Sequence, residues 1–157
     1  MTAPAWHLAQ LNIGRILAPL DSPAMAEFVA ALDPVDALAD ARPGFIWRLV
    51  GDGNDATSLR PFDDDFMLVN ISTWESLEAL RAFVYSSAHT GYLRARARWV
   101  EKLTDAVVVL WWVRAGHQPS VDEARRRLDQ LRAGGPTASA FTFARPFPKP
   151  ADEADAA

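Results

Sequence analysis

Residues 66–113 constrain the fold of this chain more than any other segment. Their pattern predicts a strand (66–73), a helical region that is interrupted between residues 86 and 91, and a second strand (106–113). On the first strand, Asn70 and Ser72 share one face, where a strand in a dry core would carry aliphatic side chains. The segment therefore predicts a sheet that lines a partly hydrated pocket.

The rest of the chain supplies the other elements of a mixed α+β domain. A helix is predicted to start at Ser22 and Pro23, because a hydroxyl followed by a proline is typical of a helix N-terminus. Pro34 is expected to break or restart this helix. The further predicted elements are a strand at 6–17, a strand at 45–50, a loop at 51–65, a helical stripe from Tyr92 to Leu103, a helix opened by a capping box of Ser120 and Glu123, and an extended piece at 140–144.

The order of these elements predicts the fold class. It is strand, helix, strand, strand, helix, strand, followed by an extra helix and strand, which is the ferredoxin-like βαββαβ order of an α+β protein. Helices are expected on one face of the antiparallel sheet. The other face carries tryptophan and aliphatic side chains and would be exposed unless a second copy covers it. We therefore expect a homodimer that forms a dimeric α/β barrel.

Composition limits the class of protein. The chain has 157 residues, half of them apolar, which predicts one domain at residues 1–148 and a disordered acidic tail at 149–157. The net charge is −4 with no basic stripe, so nucleic-acid binding is not expected. There is no cysteine, which excludes disulfides and thiolate sites. No run approaches the ~20 apolar residues of a membrane span, and no export signal is present, so we expect a cytoplasmic protein without a membrane partner.

Five segments carry a resemblance to a known family. They are WHLAQLNIGR, PGFIWRL, RPFDDDFMLVNISTWESLEALRAFVYSSAH, VVVLWWVRAGHQPSVDEARRRL and AFTF. Over about residues 6 to 148 the chain resembles a bacterial family of unknown function in the dimeric α/β-barrel superfamily, alongside the antibiotic biosynthesis monooxygenases. That superfamily includes cofactor-independent oxygenases of polyketide quinones, cyclases, isomerases and haem-dependent enzymes. The resemblance implies the fold, and it leaves the reaction open because one fold supports many functions.

His89 is the leading candidate for chemistry, because histidine is the side chain that changes charge near neutral pH and this one lies in the predicted helix break. It could act as a general acid or base. Alternatively it caps the broken helix, fills a polar gap under the sheet, or binds haem or a metal. His7 and His117 are weaker candidates. No histidine pair has the spacing of a local metal motif, so no metal site and no bound cofactor are predicted.

Polar side chains on two strands are expected to share the inner surface. Gln10 and Asn12 alternate with apolar residues on the first strand, as Asn70 and Ser72 do on the third. These groups need hydrogen-bond partners, which could be a ligand, one another or a buried water network. We expect them to contact a substrate.

Arg48 and Arg96 stand out as charges within apolar patterns. Either could anchor a carboxylate, phenolate or enolate, because a guanidinium offers paired donors to an anion. The alternative is structural ion pairing with Glu78, Glu101 or a loop aspartate. Asp63, in the acidic loop, could reach the rim of the pocket and pair with an arginine.

Aromatic side chains could supply flat walls for a ring system. Trp47, Trp74, Tyr92 and Trp111 are the candidates for ligand contact. Packing in the core and in the dimer is the alternative for the tryptophans. Trp111 and Trp112 must point to opposite faces of their strand, so only one of them can line the pocket.

Three possible functions remain from the sequence. The first is an enzyme that acts on an apolar, aromatic or polyketide-like compound by proton transfer, as a cofactor-independent monooxygenase or as a cyclase or isomerase. There His89 would be the base and Arg48 or Arg96 would stabilise the anion. The second is a non-catalytic dimer that binds small molecules or is associated with stress. Haem binding is a third alternative.

Overall fold

The structure is a computed structural model that describes residues 5–51, 64, 66–96 and 98–150, without the side chains of residues 87–89, 92 and 93. Its elements are β1 (Trp6–Ile16), a short 3₁₀ helix (Pro23–Met25), α1 (Ala26–Asp40), β2 (Phe45–Arg48), β3 (Met67–Trp74), α2 (Leu77–Val84), α3 (Ser87–Arg96), β4 (Val100–Glu101), β5 (Val108–Arg114) and α4 (Val121–Gly134). Most of the acidic loop and all of the tail beyond residue 150 lie outside the described residues.

A five-stranded antiparallel sheet forms the centre of the protein. β1 pairs with β3 on one edge and with both β4 and β5 on the other, and β2 pairs with the outer edge of β3. With α1 between β1 and β2, and with α2 and α3 between β3 and β5, this arrangement confirms the predicted ferredoxin-like α+β fold. The predicted extended piece near the C-terminus forms only single bridges, of Phe141 with Leu110 and of Ala140 with Thr137.

The start and the middle of α1 differ from the sequence prediction. The Ser22 hydroxyl does not cap the helix but donates to the carbonyl of Pro19. Pro34 lies inside α1, which continues to Asp40, so the predicted break is wrong. Proline removes one helical hydrogen bond, but apolar packing of Phe28 before it and Ala39 after it holds both halves on the sheet.

The predicted helix break is confirmed, but its position is not. α2 begins at Leu77 and ends at Val84, and Ser76 caps its start with a hydroxyl that accepts from the backbone N–H of Ala79 at 3.1 Å. Tyr85 and Ser86 separate it from α3. His89 therefore belongs to helix α3 and does not interrupt it.

The predicted helical stripe through Leu103 is also wrong, because α3 ends at Arg96. A tight turn follows, in which the N–H of Trp99 donates to the carbonyl of Arg96 at 2.9 Å. Val100 then pairs with Ile16 at the edge of β1 as part of β4. The apolar side chain of Val100 is compatible with a helix or with a short edge strand, and pairing with β1 favours the strand.

Helices cover both faces of the sheet, in contrast to the prediction of one. α1, α2 and α3 pack on the face that carries Leu8 and Trp74. α4 packs on the opposite face, where its Ala124, Leu128 and Leu131 belong to one buried cluster with Ala9, Leu11, Ile13, Val109 and Trp111. We call this second surface the α4 face.

The α4 face is closed within one subunit. Val69 and Ile71 on β3 are only 6% and 1% exposed there. The homodimer prediction therefore loses its original reason, an uncovered apolar sheet, and stays a prediction. Among the described residues, no helix is both long and apolar enough to cross a membrane.

Candidate functional site

A cavity of about 350 Å³ lies between the sheet and helices α1, α2 and α3. Its floor is the sheet face opposite the α4 face. Gln10 and Asn12 from β1 meet Asn70, Ser72 and Trp74 from β3 there. The volume falls within the range of small-molecule sites, roughly 300 to 1,000 Å³.

Strand register builds the polar floor. Gln10 lies directly opposite Ser72, and Asn12 lies opposite Asn70. Because side chains alternate along a strand, all four polar groups project into the same cavity. The predicted shared face of these residues is confirmed.

Hydrogen bonds connect the floor into a network. The Gln10 Nε2 group donates to Asn70 Oδ1 at 2.6 Å and to Ser72 Oγ at 2.8 Å. The indole N–H of Trp74 donates to the same Ser72 oxygen at 2.9 Å. Gln10, Ser72 and Trp74 are 7%, 6% and 1% exposed, so the two bonds to Ser72 are made away from bulk water, whereas Asn70 is exposed.

The network leaves hydrogen-bond donors and acceptors available to a ligand, or guest, bound in the cavity. Both acceptor positions of the Ser72 oxygen are used, which leaves its hydroxyl proton to donate. Within the described part of the chain, the Asn12 side chain makes no hydrogen bond, and it lines the cavity. The floor can therefore orient a ligand through at least two polar side chains.

Aromatic rings form the walls. Phe83 stacks on Trp74 with ring centroids 5.5 Å apart, and Phe45 meets the same indole edge-on at 5.4 Å. Phe28 enters from α1 and Phe143 from the C-terminal segment. Such rings offer flat apolar surface to an aromatic guest.

Arg48 lies at the cavity in an ion-paired state. Its Nε atom is 2.9 Å from Asp40 Oδ1, and its Nη1 atom is 3.5 Å from Asp36 Oδ2. Only 11% of the Arg48 side chain is exposed. Ion pairing was one of the two sequence interpretations, but the partners lie on α1 and are neither Glu78 nor Glu101.

Arg96 reaches the cavity from the end of α3. Its Nη2 atom is 3.5 Å from the carbonyl oxygen of Ile13 on β1, and the side chain lines the cavity beside Asn12 and Gly14. The two arginines thus line the same cavity but contact different secondary-structure elements, Arg48 contacting α1 and Arg96 contacting β1.

Trp47 and Trp111 do not line the cavity, so these two sequence predictions are wrong. Trp47 pairs with Thr73 and packs into the cluster of the α4 face, as Trp111 does. The indole of Trp111 donates to Glu123 Oε2 on α4 at 2.9 Å. Trp112 points the other way, but it bonds to the carbonyl of Phe147 at 3.0 Å and is absent from the cavity lining.

Three predicted site residues cannot be placed at the cavity. Asp63 and the side chains of His89 and Tyr92 lie outside the described residues. The structure therefore brings together Gln10, Asn12, Arg48, Asn70, Ser72, Trp74 and Arg96 from the predicted set.

Sequence reasoning missed Asp36 and Gly14. Asp36 and Asp40 are four residues apart, which places both on one face of α1 toward the arginine of the next strand. Gly14 interrupts an otherwise strand-forming run, and a glycine inside a strand signals close approach of another group. Both signals were present in the sequence.

A titratable pair lies outside the cavity, at the N-terminus of α4. His117 Nε2 is 2.7 Å from Glu123 Oε1, and the Ser120 hydroxyl accepts from the N–H of Glu123 at 3.1 Å. Partial burial acts to raise the pKa of Glu123, but hydrogen bonds from His117 and Trp111, together with the charges of His117 and Arg127, outweigh it and lower this pKa below its ordinary value. Among the described residues, no group of three or more potential ligands could hold a metal ion.

Comparison with models of protein families identifies the family of this chain. The family described as Domain of unknown function (DUF3291) matches residues 7–157. The chain belongs to this family. The match confirms the resemblance to a family of unknown function, and the description of DUF3291 assigns no activity. No curated protein sequence matches this DUF3291 chain.

Solved structures with a related fold share little sequence with the DUF3291 chain. SnoaB, a cofactor-independent oxygenase from Streptomyces nogalater, is 18% identical, with 76% of this chain and 100% of that chain covered and a TM-score of 0.47. Rv0793 from Mycobacterium tuberculosis is 16% identical, with coverage of 73% and 99% and a TM-score of 0.48. A conserved protein from Methanosarcina mazei Go1 is 11% identical, with coverage of 70% and 93% and a TM-score of 0.49. Likeness at this level transfers no activity.

Proposed function

We propose that this DUF3291 protein binds a small, largely apolar aromatic compound in the cavity and acts on it by proton transfer. The observation that carries the proposal is the combination of aromatic walls with a polar floor in one cavity of about 350 Å³. Binding sites for small molecules typically join apolar walls to a few placed polar groups.

The floor favours a guest with a polar substituent. The hydroxyl of Ser72 and the amides of Asn12 and Asn70 face the space that a ring would occupy beside Trp74. A carbonyl or hydroxyl on the guest would bond to these groups, while its ring would pack on the indole. A guest without polar atoms would leave the floor unpaired and would bind more weakly.

Proton transfer would convert such a guest into an enolate or phenolate. In this proposal, Gln10, Asn12, Asn70 and Ser72 position the substrate, and an arginine stabilises the anion. His89 is the proposed base. Cyclisation and isomerisation both begin with this step.

Oxygenation would extend the same chemistry, as the family resemblance implies. An activated CH₂ group of the substrate would lose a proton to the base, and the carbanion would react with O₂. The CH₂ becomes a carbonyl that keeps one oxygen atom, and the second oxygen atom leaves as water. Such a reaction uses O₂ as the oxidant and takes all electrons from the substrate.

Anthrone tests both ligand binding and proton transfer, because it is a tricyclic ketone with an activated CH₂ group. We expect it to bind under nitrogen, as measured by isothermal titration calorimetry, and Ser72→Ala to weaken binding roughly tenfold by removing a donor and disordering Gln10 and Trp74. Thr73→Val, one residue away on the α4 face, is the matched control and should bind like the parent protein. Equal affinity of parent and Ser72→Ala would contradict the proposed site.

Turnover separates an enzyme from a binding protein. In air we expect O₂ uptake with anthraquinone as product, faster than the uncatalysed oxidation. His89→Ala should abolish the acceleration, and His7→Ala, at the start of β1, should retain it. Tight binding without acceleration would favour the second candidate, a non-catalytic binding protein, which is also consistent with the hydrogen bonds and ion pairs that the cavity residues already make.

A further inference from the structure

Gly14 allows the side chain of Arg96, at the end of α3, to approach β1 closely. A Cβ atom at this position would lie 2.7 Å from Arg96 Nη2 and 3.0 Å from Val100 Cγ1. Gly14 is not among the glycines with positive φ, so the requirement is for space and not for an unusual backbone conformation. The missing side chain lets the Arg96 guanidinium lie against β1.

The position of Arg96 places a positive charge beside the polar floor. Its Nη2 atom lies 3.5 Å from the Ile13 carbonyl, and Asn12 projects from the same strand face as Gly14. An anionic oxygen in the cavity could therefore meet a guanidinium and an amide together.

Arg48 is a poor anion site. Its guanidinium contacts the carboxylates of Asp36 and Asp40, so an anionic ligand group there would face two like charges. Repulsion at such short range disfavours a further anion.

We infer that Arg96 recognises an anionic oxygen group on the cavity ligand, and that Gly14 is the positioning residue that admits its guanidinium. The ligand class is an apolar ring system with one carboxylate, phenolate or enolate oxygen. This inference rests on the proposed function, because it assumes that an aromatic guest occupies the cavity.

Two probes of equal shape test the charge. 2-Naphthoate carries a carboxylate, and 2-naphthamide replaces it by a neutral amide. By calorimetry at low salt, we expect the parent protein to bind the naphthoate roughly tenfold more tightly, as a charge-assisted hydrogen bond allows. Arg96→Gln should remove this preference, so that the two probes bind to the variant with equal affinity.

Gly14→Ala tests the positioning role. The nearer atom, Arg96 Nη2, is the end of a flexible side chain, and Val100 Cγ1 at 3.0 Å needs to move by only a few tenths of an ångström. We therefore expect the variant to fold with the guanidinium displaced and to lose the preference for naphthoate. The double variant Gly14→Ala with Arg96→Gln should behave like Arg96→Gln alone, since Gly14 acts through Arg96. Gly91→Ala, on α3 with open space around its Cβ, is the control and should keep the preference.

Each outcome separates this inference from the proposed function. Equal binding of both probes by the parent protein, or additive effects of the two substitutions, would overturn the inference and leave the aromatic site standing. Failure of both probes to bind would count against the proposed function itself. If Gly14→Ala does not fold, the response of Arg96→Gln to the two probes still decides whether the anion is recognised there.

Discussion

At the scale of single residues, Glu123 ties three parts of the protein together. It lies in the first turn of α4, binds His117 in the preceding loop and accepts the indole N–H of Trp111 from β5. Its side chain is 15% exposed. The carboxylate therefore fixes the N-terminus of α4 on the sheet through bonds that prefer the charged form.

Glu123→Gln should destabilise the protein in a pH-dependent way. At pH 7 we expect a loss of about 1 kcal/mol in the free energy of unfolding, because charge-assisted hydrogen bonds are replaced by neutral ones. The pKa of Glu123 is lowered in the folded state from its ordinary value of 4.5, so its contribution is complete above that pH and is lost as the pH falls through the folded-state pKa.

Urea denaturation at pH 7 and at pH 3 measures this difference. The gap between parent and variant should shrink at the lower pH. Asp122→Asn is a suitable control, since Asp122 lies exposed in the same helical turn and none of these bonds involves it. A gap that is independent of pH would show that the carboxylate charge is irrelevant.

At the scale of elements, α1 contains a proline at an exposed interior position. Pro34→Ala should stabilise the protein by about 1 to 2 kcal/mol, because the restored N–H can donate to the preceding turn. This gain exceeds the opposing effect of the greater freedom of the unfolded chain. The urea midpoint measures the effect. Pro23→Ala, at a helix start where proline is well accommodated, should give no gain, and an equal gain at both positions would contradict the explanation.

Several elements show which parts of the fold could be predicted from the sequence and which could not. Alternation along β1 and β3 predicted the polar floor correctly, because a period of two leaves only two faces to choose from. Local rules failed at Pro34 and at Val100, where packing and pairing with β1 overrode them. The site of Trp111 was missed because sequence does not say which face α4 covers.

At the scale of the whole molecule, the outer edge of the sheet offers a surface for a second subunit. β2 is the edge strand beyond β3, and Ile46 on it exposes 38% of its surface. Val50, two residues after β2, exposes 44%. Exposed apolar edge strands favour pairing with another chain. This feature supports the predicted homodimer on grounds other than an uncovered sheet face.

Light scattering at micromolar concentration should give twice the chain mass of 17.3 kDa. Ile46→Lys should shift the mass to that of the monomer, because a charge at an edge strand opposes pairing. Leu17→Lys, at an exposed position outside β2, is the control and should leave the dimer intact. A parent protein that scatters as a monomer would contradict the dimer, and a dimeric Ile46→Lys variant would move the interface elsewhere.

The pairing of β1 with β3 also sets a limit on how this domain can change. If one strand gained a single residue before Gln10 or Asn70, its side chains would exchange sides. Amides would then be forced against the aliphatic groups under α4, and methyl groups would replace them around the guest. Insertions should therefore be tolerated between strands and selected against within them, since one added residue would disturb both folding and ligand recognition.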